Sequence, residues 1–295
     1  MMCSPVWLEV ALNGPWSRDL QPSIPITVDE IVAEGIACAR AGVAIIHLHA
    51  YDENTGRQHD DPEIYTRIIE GIRGQEDVIV YPTLPLAGSP DAAQPMSAEQ
   101  RFVAVEELAR RGLLEWAVVD PGSVNFAHYD RLSNGQEGFV YLNPERHIRY
   151  GLQLAARYRF HPSYAIYEPG FLRMGAALHR LHPKAPAPIY RLMFSEGFAF
   201  GLPPAAYALE AYRELLRDEA PGAPWMIAGL AVDIRPLIPA TVAAGGHVRV
   251  GLEDAPLGTE TSNLAWVEQA AAAIENAGGC VATPADVRKT LASAS

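Results

Sequence analysis

The sequence predicts an α/β fold, a (β/α)8 barrel, on three observations. Eight short apolar stretches alternate with eight helical ones along the chain. The strand stretches are mostly apolar throughout, as parallel strands covered on both faces require. The competing open, doubly wound sheet usually has fewer strands and a glycine-rich turn after the first. Here that turn offers only Asn13-Gly14.

The elements follow in order. Residues 7–12 read as the first strand, ended by Asn13-Gly14-Pro15. A loop with Trp16, Ser17, Arg18 and Asp19 follows. Thr27 and Glu30 have the spacing of a capping box, opening a helix that runs to about Ala41 and stops at Gly42. The second strand follows directly and ends in His47-Leu48-His49. Strand, helix, strand at this spacing is a parallel βαβ unit. The unit then recurs, with strands at 77–83, 116–120, 163–168, 189–195, 224–229 and 248–251. The helices between and after them fall at 61–73, 97–111, 143–157, from about 170, 204–218, 236–244 and 261–277. No interdomain linker is visible. Residues 1–295 are therefore expected to form one domain, with the barrel at about 6–280 and a capped tail helix at about 282–292.

Composition narrows the function. The chain of 295 residues is 49% apolar, ample for a large core, and carries a net charge of -12. That charge argues against broad nucleic-acid binding while leaving room for a local basic patch. Cys3, Cys38 and Cys280 are odd in number and far apart, which suggests neither a disulfide framework nor a cysteine zinc site. A reducing cytoplasm is the expected compartment. No apolar run is long enough to span a bilayer, and residues 1–5 lack a secretory pattern, so no membrane association is expected.

A barrel gathers its chemistry at the C-terminal ends of its strands. Strand 2 brings His47 and His49, two residues apart and so on one side of the strand. Two converging imidazoles suit a metal site; two solvated polar residues at a strand end are the other reading. The same rim offers Thr83, Asp120 and Glu168. Strand 8, adjacent to strand 1, offers Arg249 and then Glu253 and Asp254. Two histidines and a carboxylate make a common catalytic metal set, and Glu253 is placed to complete it. Simpler roles stay open. Arg249 with Glu253 or Asp254 can be an ion pair closing the barrel. Asp120 before Pro121-Gly122 can start a turn, and Glu168 before Pro169-Gly170 can lead into a helix. Thr83 can bond its own backbone. His247 is expected to pack at the opposite end of strand 8, and Arg18 and the remaining histidines to lie at the surface.

Residues 24–42, His47-Leu48-His49, Asp61-Pro62-Glu63 and the run from Gly245 to Asp254 (GGHVRVGLED) resemble the β-keto acid cleavage enzyme family. The order and spacing continue to Ala282-Thr283-Pro284. The resemblance implies a TIM barrel with zinc on His47, His49 and Glu253, although a two-histidine, one-carboxylate set also accepts other divalent transition metals. It implies that Asp254 is the general base and that Arg249 acts with it. It implies a reaction of a β-keto acid with acetyl-CoA that yields acetoacetate and a new acyl-CoA. A homo-oligomer, commonly a tetramer, is the assembly expected of the family.

The chain also departs from the family pattern. Members that take an amine-bearing acid, such as the 3-keto-5-aminohexanoate cleavage enzymes, place a glutamate after the first strand. Here that place falls within Asn13-Gly14-Pro15-Trp16-Ser17, with Trp16 nearest in alignment. Asn13, Trp16, Thr83, Asp120 and Glu168 are the expected substrate contacts. Val118 replaces a hydroxyl residue, Tyr51 an arginine, and Thr83-Leu84-Pro85-Leu86 a glycine-containing turn. The expected acid is therefore less polar at its far end and bears no amine. Two alternatives are a metal-dependent carbon–carbon lyase or hydrolase working without CoA, and a barrel that binds a small acid without turning it over.

Overall fold

A computed structural model describes residues 3–86 and 96–293. Its centre is the expected barrel. The strands are β1 (Leu8–Ala11), β2 (Ile45–Leu48), β3 (Ile79–Pro82), β4 (Trp116–Val118), β5 (His161–Ile166), β6 (Ile189–Phe194), β7 (Trp225–Gly229) and β8 (His247–Val250). All their pairings are parallel, in the order β3-β2-β1-β8-β7-β6-β5-β4. β3 and β4 lie side by side, but no ladder joins them among the described residues, so the barrel is nearly closed.

The main helices are α1 (Val28–Arg40), α2 (Pro62–Arg73), α3 (Val103–Arg110), α4 (Glu145–Tyr158), α5 (Pro169–Arg180), α6 (Ala206–Glu219), α7 (Ile238–Ala243), α8 (Asn263–Asn276) and α9 (Pro284–Ser293). Local chemistry explains their ends. Thr27 and Glu30 form both halves of the capping box on α1. Asp61 caps α2, with Pro62 in its first turn. Gly42 takes a φ of +103° on leaving α1, which favours glycine.

Three features differ from the sequence reading. The helix expected over 97–111 is two pieces, Ala98–Arg101 and α3, which meet at Phe102. The stretch after β4 is not plain loop. Val124–Phe126 and Phe139–Tyr141 pair as an antiparallel hairpin around a short helix, Tyr129–Ser133. Lastly, Cys3 and Cys280 form a disulfide across 277 positions. Parallel pairing of Ser4–Val6 with Gly279–Val281 brings them together, a contact that sequence distance conceals. Cys38 is free and buried. The cysteine argument for a reducing compartment therefore falls away. No helix among the described residues is long and apolar enough to cross a membrane.

Candidate metal centre and cavity

β2 delivers its two histidines as the period of a strand requires. His47 and His49 are buried with ring centroids 5.3 Å apart, and Leu48 packs into the core. Glu253 meets both rings. His47 Nε2 is 3.4 Å from its Oε2, and His49 Nε2 is 3.6 Å from its Oε1. One ligand atom from each of the three residues lies within 4.8 Å of the others. His47 Nδ1, His49 Nε2 and Glu253 Oε2 are buried without a hydrogen-bond partner. Buried polar atoms left unpaired are costly, and a cation would satisfy such a set.

The neighbours of His49 hold it in one pose. Asn13 accepts from the His49 N–H at 2.9 Å and donates to the His49 carbonyl at 3.0 Å. His49 Nδ1 is 2.8 Å from Gln58 Oε1, and the Gln58 amide donates to Asp60 at 2.9 Å. That chain turns the Gln58 oxygen towards the ring. It fixes the proton on Nδ1 and leaves Nε2 free for a ligand.

The turn after β8 supplies the acids. Gly251 has a φ of +134°, and a Cβ there would meet the Ala11 carbonyl oxygen at 2.2 Å. Only glycine fits so close to β1. Asn263 fastens the turn, accepting from the Leu252 N–H at 2.7 Å and donating to the Leu12 carbonyl at 2.7 Å. Arg249 then grips Asp254 with two bonds, 2.9 Å to Oδ2 and 2.7 Å to Oδ1. The same guanidinium stands 3.0 Å from Glu253 Oε1 and 3.4 Å from Glu9 Oε1. These contacts separate the two acids. Burial works to raise Glu253, but Arg249 and the two imidazoles overcome it and hold its carboxyl well below the usual range. For Asp254 burial prevails over Arg249, and its pKa is pushed up. Burial likewise holds His47 far below its ordinary value, against the pull of Glu253.

The cluster opens into a cavity of about 710 Å³. Thr83, Asp120 and Trp16 are on its wall. The Trp16 indole donates to the Glu253 carbonyl at 2.8 Å, and the Tyr51 hydroxyl holds the Trp16 loop by its carbonyls. Asn13 is not on the wall; its polar atoms are spent on the backbones of His49 and Pro25. Glu168 is not there either, and accepts instead from the Gly201 N–H at 3.1 Å. Asp254 and Arg249 lie beside Glu253, off the lining. His247 stacks on Trp7 at 4.0 Å, and Arg18 pairs with Glu30 at the surface. Two of the histidines expected at the surface are elsewhere: His128 lines the cavity and His147 is buried.

Sequence reasoning missed four groups. Gln58 and Asp60 carry no sequence signal for their role. Glu9 and Arg191 are lone charges inside apolar strands, which was the available signal. Both are buried in the barrel. Tyr81 donates to Glu9 at 2.6 Å. The unexpected hairpin, together with the loops after β5 and β6, walls the cavity with Phe126, Phe139, Tyr141, Tyr167 and Phe198. A second cavity, about 440 Å³, lies beside Trp225 and His247, away from this cluster.

Comparison with known proteins gives a consistent result. The sequence model of the family described as beta-keto acid cleavage enzyme matches residues 5–292. The 3-oxoadipate:acetyl-CoA acetyltransferase of Cupriavidus necator is 29% identical, over 98% of this chain and 95% of the relative. A 3-keto-5-aminohexanoate cleavage enzyme of Fusobacterium nucleatum is 26% identical, over 93% of each. Among solved structures, ObcA in a binary complex with oxaloacetate superposes with a TM-score of 0.70 at 18% identity. The match covers 92% of this chain and 67% of the ObcA chain, and it shows the barrel fold.

Proposed function

The chain belongs to the β-keto acid cleavage enzyme family, and from that premise we propose acyl exchange between a β-keto acid and acetyl-CoA in the 710 Å³ cavity. The names of several relatives couple their substrate to acetyl-CoA. One observation carries the reading to this site: Glu253 joins His47 and His49 while its neighbour Asp254 is gripped by Arg249.

In the reaction C2 of the keto acid gives up a proton, and the carbanion attacks the thioester carbonyl of acetyl-CoA. CoA leaves as the thiolate and attacks the original keto carbon. The C2–C3 bond breaks, acetoacetate departs with a proton restored, and the released acyl group remains on CoA. His47, His49 and Glu253 would hold a divalent ion, zinc being the best match to the donors. When bound, such an ion supplies a Lewis acid for the keto oxygen and the enolate charge. Asp254 takes the C2 proton; a carboxylate raised by burial is a stronger base than a solvated one. Arg249 holds that carboxylate in one orientation. Thr83 offers a hydroxyl to the substrate. Asn13 and Glu168 serve as supports, through His49 and Gly201. Trp16, Val118 and the aromatic wall favour an acid that is apolar at its far end and carries no amine. Dependence on acetyl-CoA argues for the cytoplasm, and the family for a homo-oligomer, a tetramer being expected. Residues 1–295 act as one domain on this reading.

The test is to quantify metal in the purified protein and to assay acetoacetate release from a panel of β-keto acids with acetyl-CoA. About one zinc per chain is expected, lost in the His47→Ala, His49→Ala double variant. Asp254→Asn should keep the metal and lose at least ~100-fold in turnover. Metal with no CoA-dependent acetoacetate from any acid would defeat the reaction, and a protein that binds no metal would defeat the site.

A further inference from the structure

Arg191 is a buried cation with no role in the scheme above. It stands on β6, paired in register with Ala165 of β5 and Met226 of β7, and only 3% of it is exposed. It donates no hydrogen bond to any described residue, and its Nε is buried without a partner. The carboxylate nearest it is Asp120, at 3.6 Å from an Nη atom, and the charge of the buried Glu9 also reaches it. That distance is beyond a hydrogen bond. Both Asp120 oxygens are also engaged elsewhere. Oδ1 accepts from the Ala165 N–H at 2.8 Å, and Oδ2 accepts from the Tyr141 hydroxyl at 2.7 Å. Asp120 thus balances the charge of Arg191 without satisfying its donors.

A guanidinium presents five donors in a fixed fork and keeps its charge at any working pH. Buried and unbonded, it is costly unless a ligand brings the acceptors. Arg191 lines the same cavity as His47, His49 and Glu253. The other buried cation close by, Arg249, is committed to Asp254 and Glu253 and is off the cavity lining. Of the other side chains on the wall, Asp120 repels an anion, Val118 is apolar and Thr83 offers a single hydroxyl; Arg131, the other arginine on the lining, is exposed.

We propose that Arg191 receives the carboxylate of the β-keto acid and so selects the acid over its neutral ester. A carboxylate matches the guanidinium fork with two parallel bonds. The inference rests on the keto acid reading and deepens it. Arg191 is then the specificity-determining contact at one end of the substrate, and the aromatic wall receives the other.

The test uses acetoacetate, which has one carboxylate and is the product common to any keto acid turned over here. Its neutral counterpart is methyl acetoacetate. Both are titrated calorimetrically into metal-loaded wild type, Arg191→Gln and Arg191→Lys. Acetoacetate should bind Arg191→Gln about 10- to 100-fold more weakly. Arg191→Lys, which keeps a charge opposite Asp120, should recover part of the loss. Methyl acetoacetate affinity and metal content should not change. If Arg191→Gln fails to fold, Arg191→Lys alone should still weaken the acid several-fold and spare the ester. Unchanged acetoacetate binding overturns the proposal, as does an equal loss for acid and ester, which would make Arg191 a structural part of the wall. Wild type that binds no acetoacetate would instead overturn the keto acid reading, and this inference with it.

Discussion

Glu253 and Asp254 are adjacent in sequence and chemically alike, yet their surroundings shift their carboxyls in opposite directions. Glu253 faces two imidazoles and one Nη of Arg249, so its negative charge is stabilised. Asp254 receives the fork of Arg249 but has Glu253 and Glu9 as like-charged neighbours, and burial prevails. Sequence made both residues visible as candidates; the division between them comes from burial set against Arg249 and, for Glu253 alone, the two imidazoles, which is a matter of packing that the sequence does not display. His247 shows the same environmental control with a thermodynamic consequence. It accepts from the Trp7 N–H at 3.2 Å, and burial pushes its pKa down to about 3. The unfolded chain, with an ordinary value of 6.5, takes up a proton that the folded chain refuses. The stabilising effect is therefore complete above about pH 6.5 and is lost as pH falls towards about 3, by up to ~1.4 kcal/mol per unit. His247→Phe keeps a flat ring and removes the titration. Urea midpoints measured from pH 7.5 to pH 4.5 should fall less steeply for the variant than for wild type. Parallel slopes would place the acid sensitivity elsewhere.

The β8 turn shows what an element contributes beyond its residues. Its acids are useful because the backbone passes within touching distance of β1 at Gly251. Gly251→Ala should cost on the order of 3 kcal/mol through a backbone clash and a forced positive φ. It should also weaken metal binding by displacing Glu253. Thermal melting and a chelator competition would check the two effects. A stable variant with normal metal affinity would mean that the turn has slack. Sequence displayed this element well, because apolar strand, glycine, and paired acids stand together in one short run. It displayed the hairpin after β4 poorly. Val124–Phe126 is too short to have a period, and its partner Phe139–Tyr141 lies across a helix and a polar loop. Long periodic elements such as α1 and α6 were legible for the converse reason. The Phe102 break inside the helix expected at 97–111 was not, since no glycine or proline marks it.

For the molecule as a whole, eight parallel strands were readable from alternation, whereas contacts between distant segments were not. Cys3 meets Cys280 because Ser4–Val6 pairs with Gly279–Val281, and Arg191 meets Asp120 because β4 and β6 flank β5. The seam between β3 and β4 has a consequence of its own. Every other neighbouring pair shares a ladder, so β1 and β8 have their backbone amides covered on both sides, while β3 and β4 each have one side unpaired among the described residues. Local openings follow the weakest run of backbone bonds. Deuterium should therefore enter Ile79–Pro82 and Trp116–Val118 before it enters Leu8–Ala11 and His247–Val250, as amide exchange read by mass spectrometry would register. Equal protection all round would indicate a continuous hoop. With the seam as it stands, the barrel is a sheet with two ends. His47 stands on β2, next to that seam, and Glu253 lies beyond β8, two strands further round, so an opening at β3 would reach the strand that carries His47 before the turn that carries Glu253.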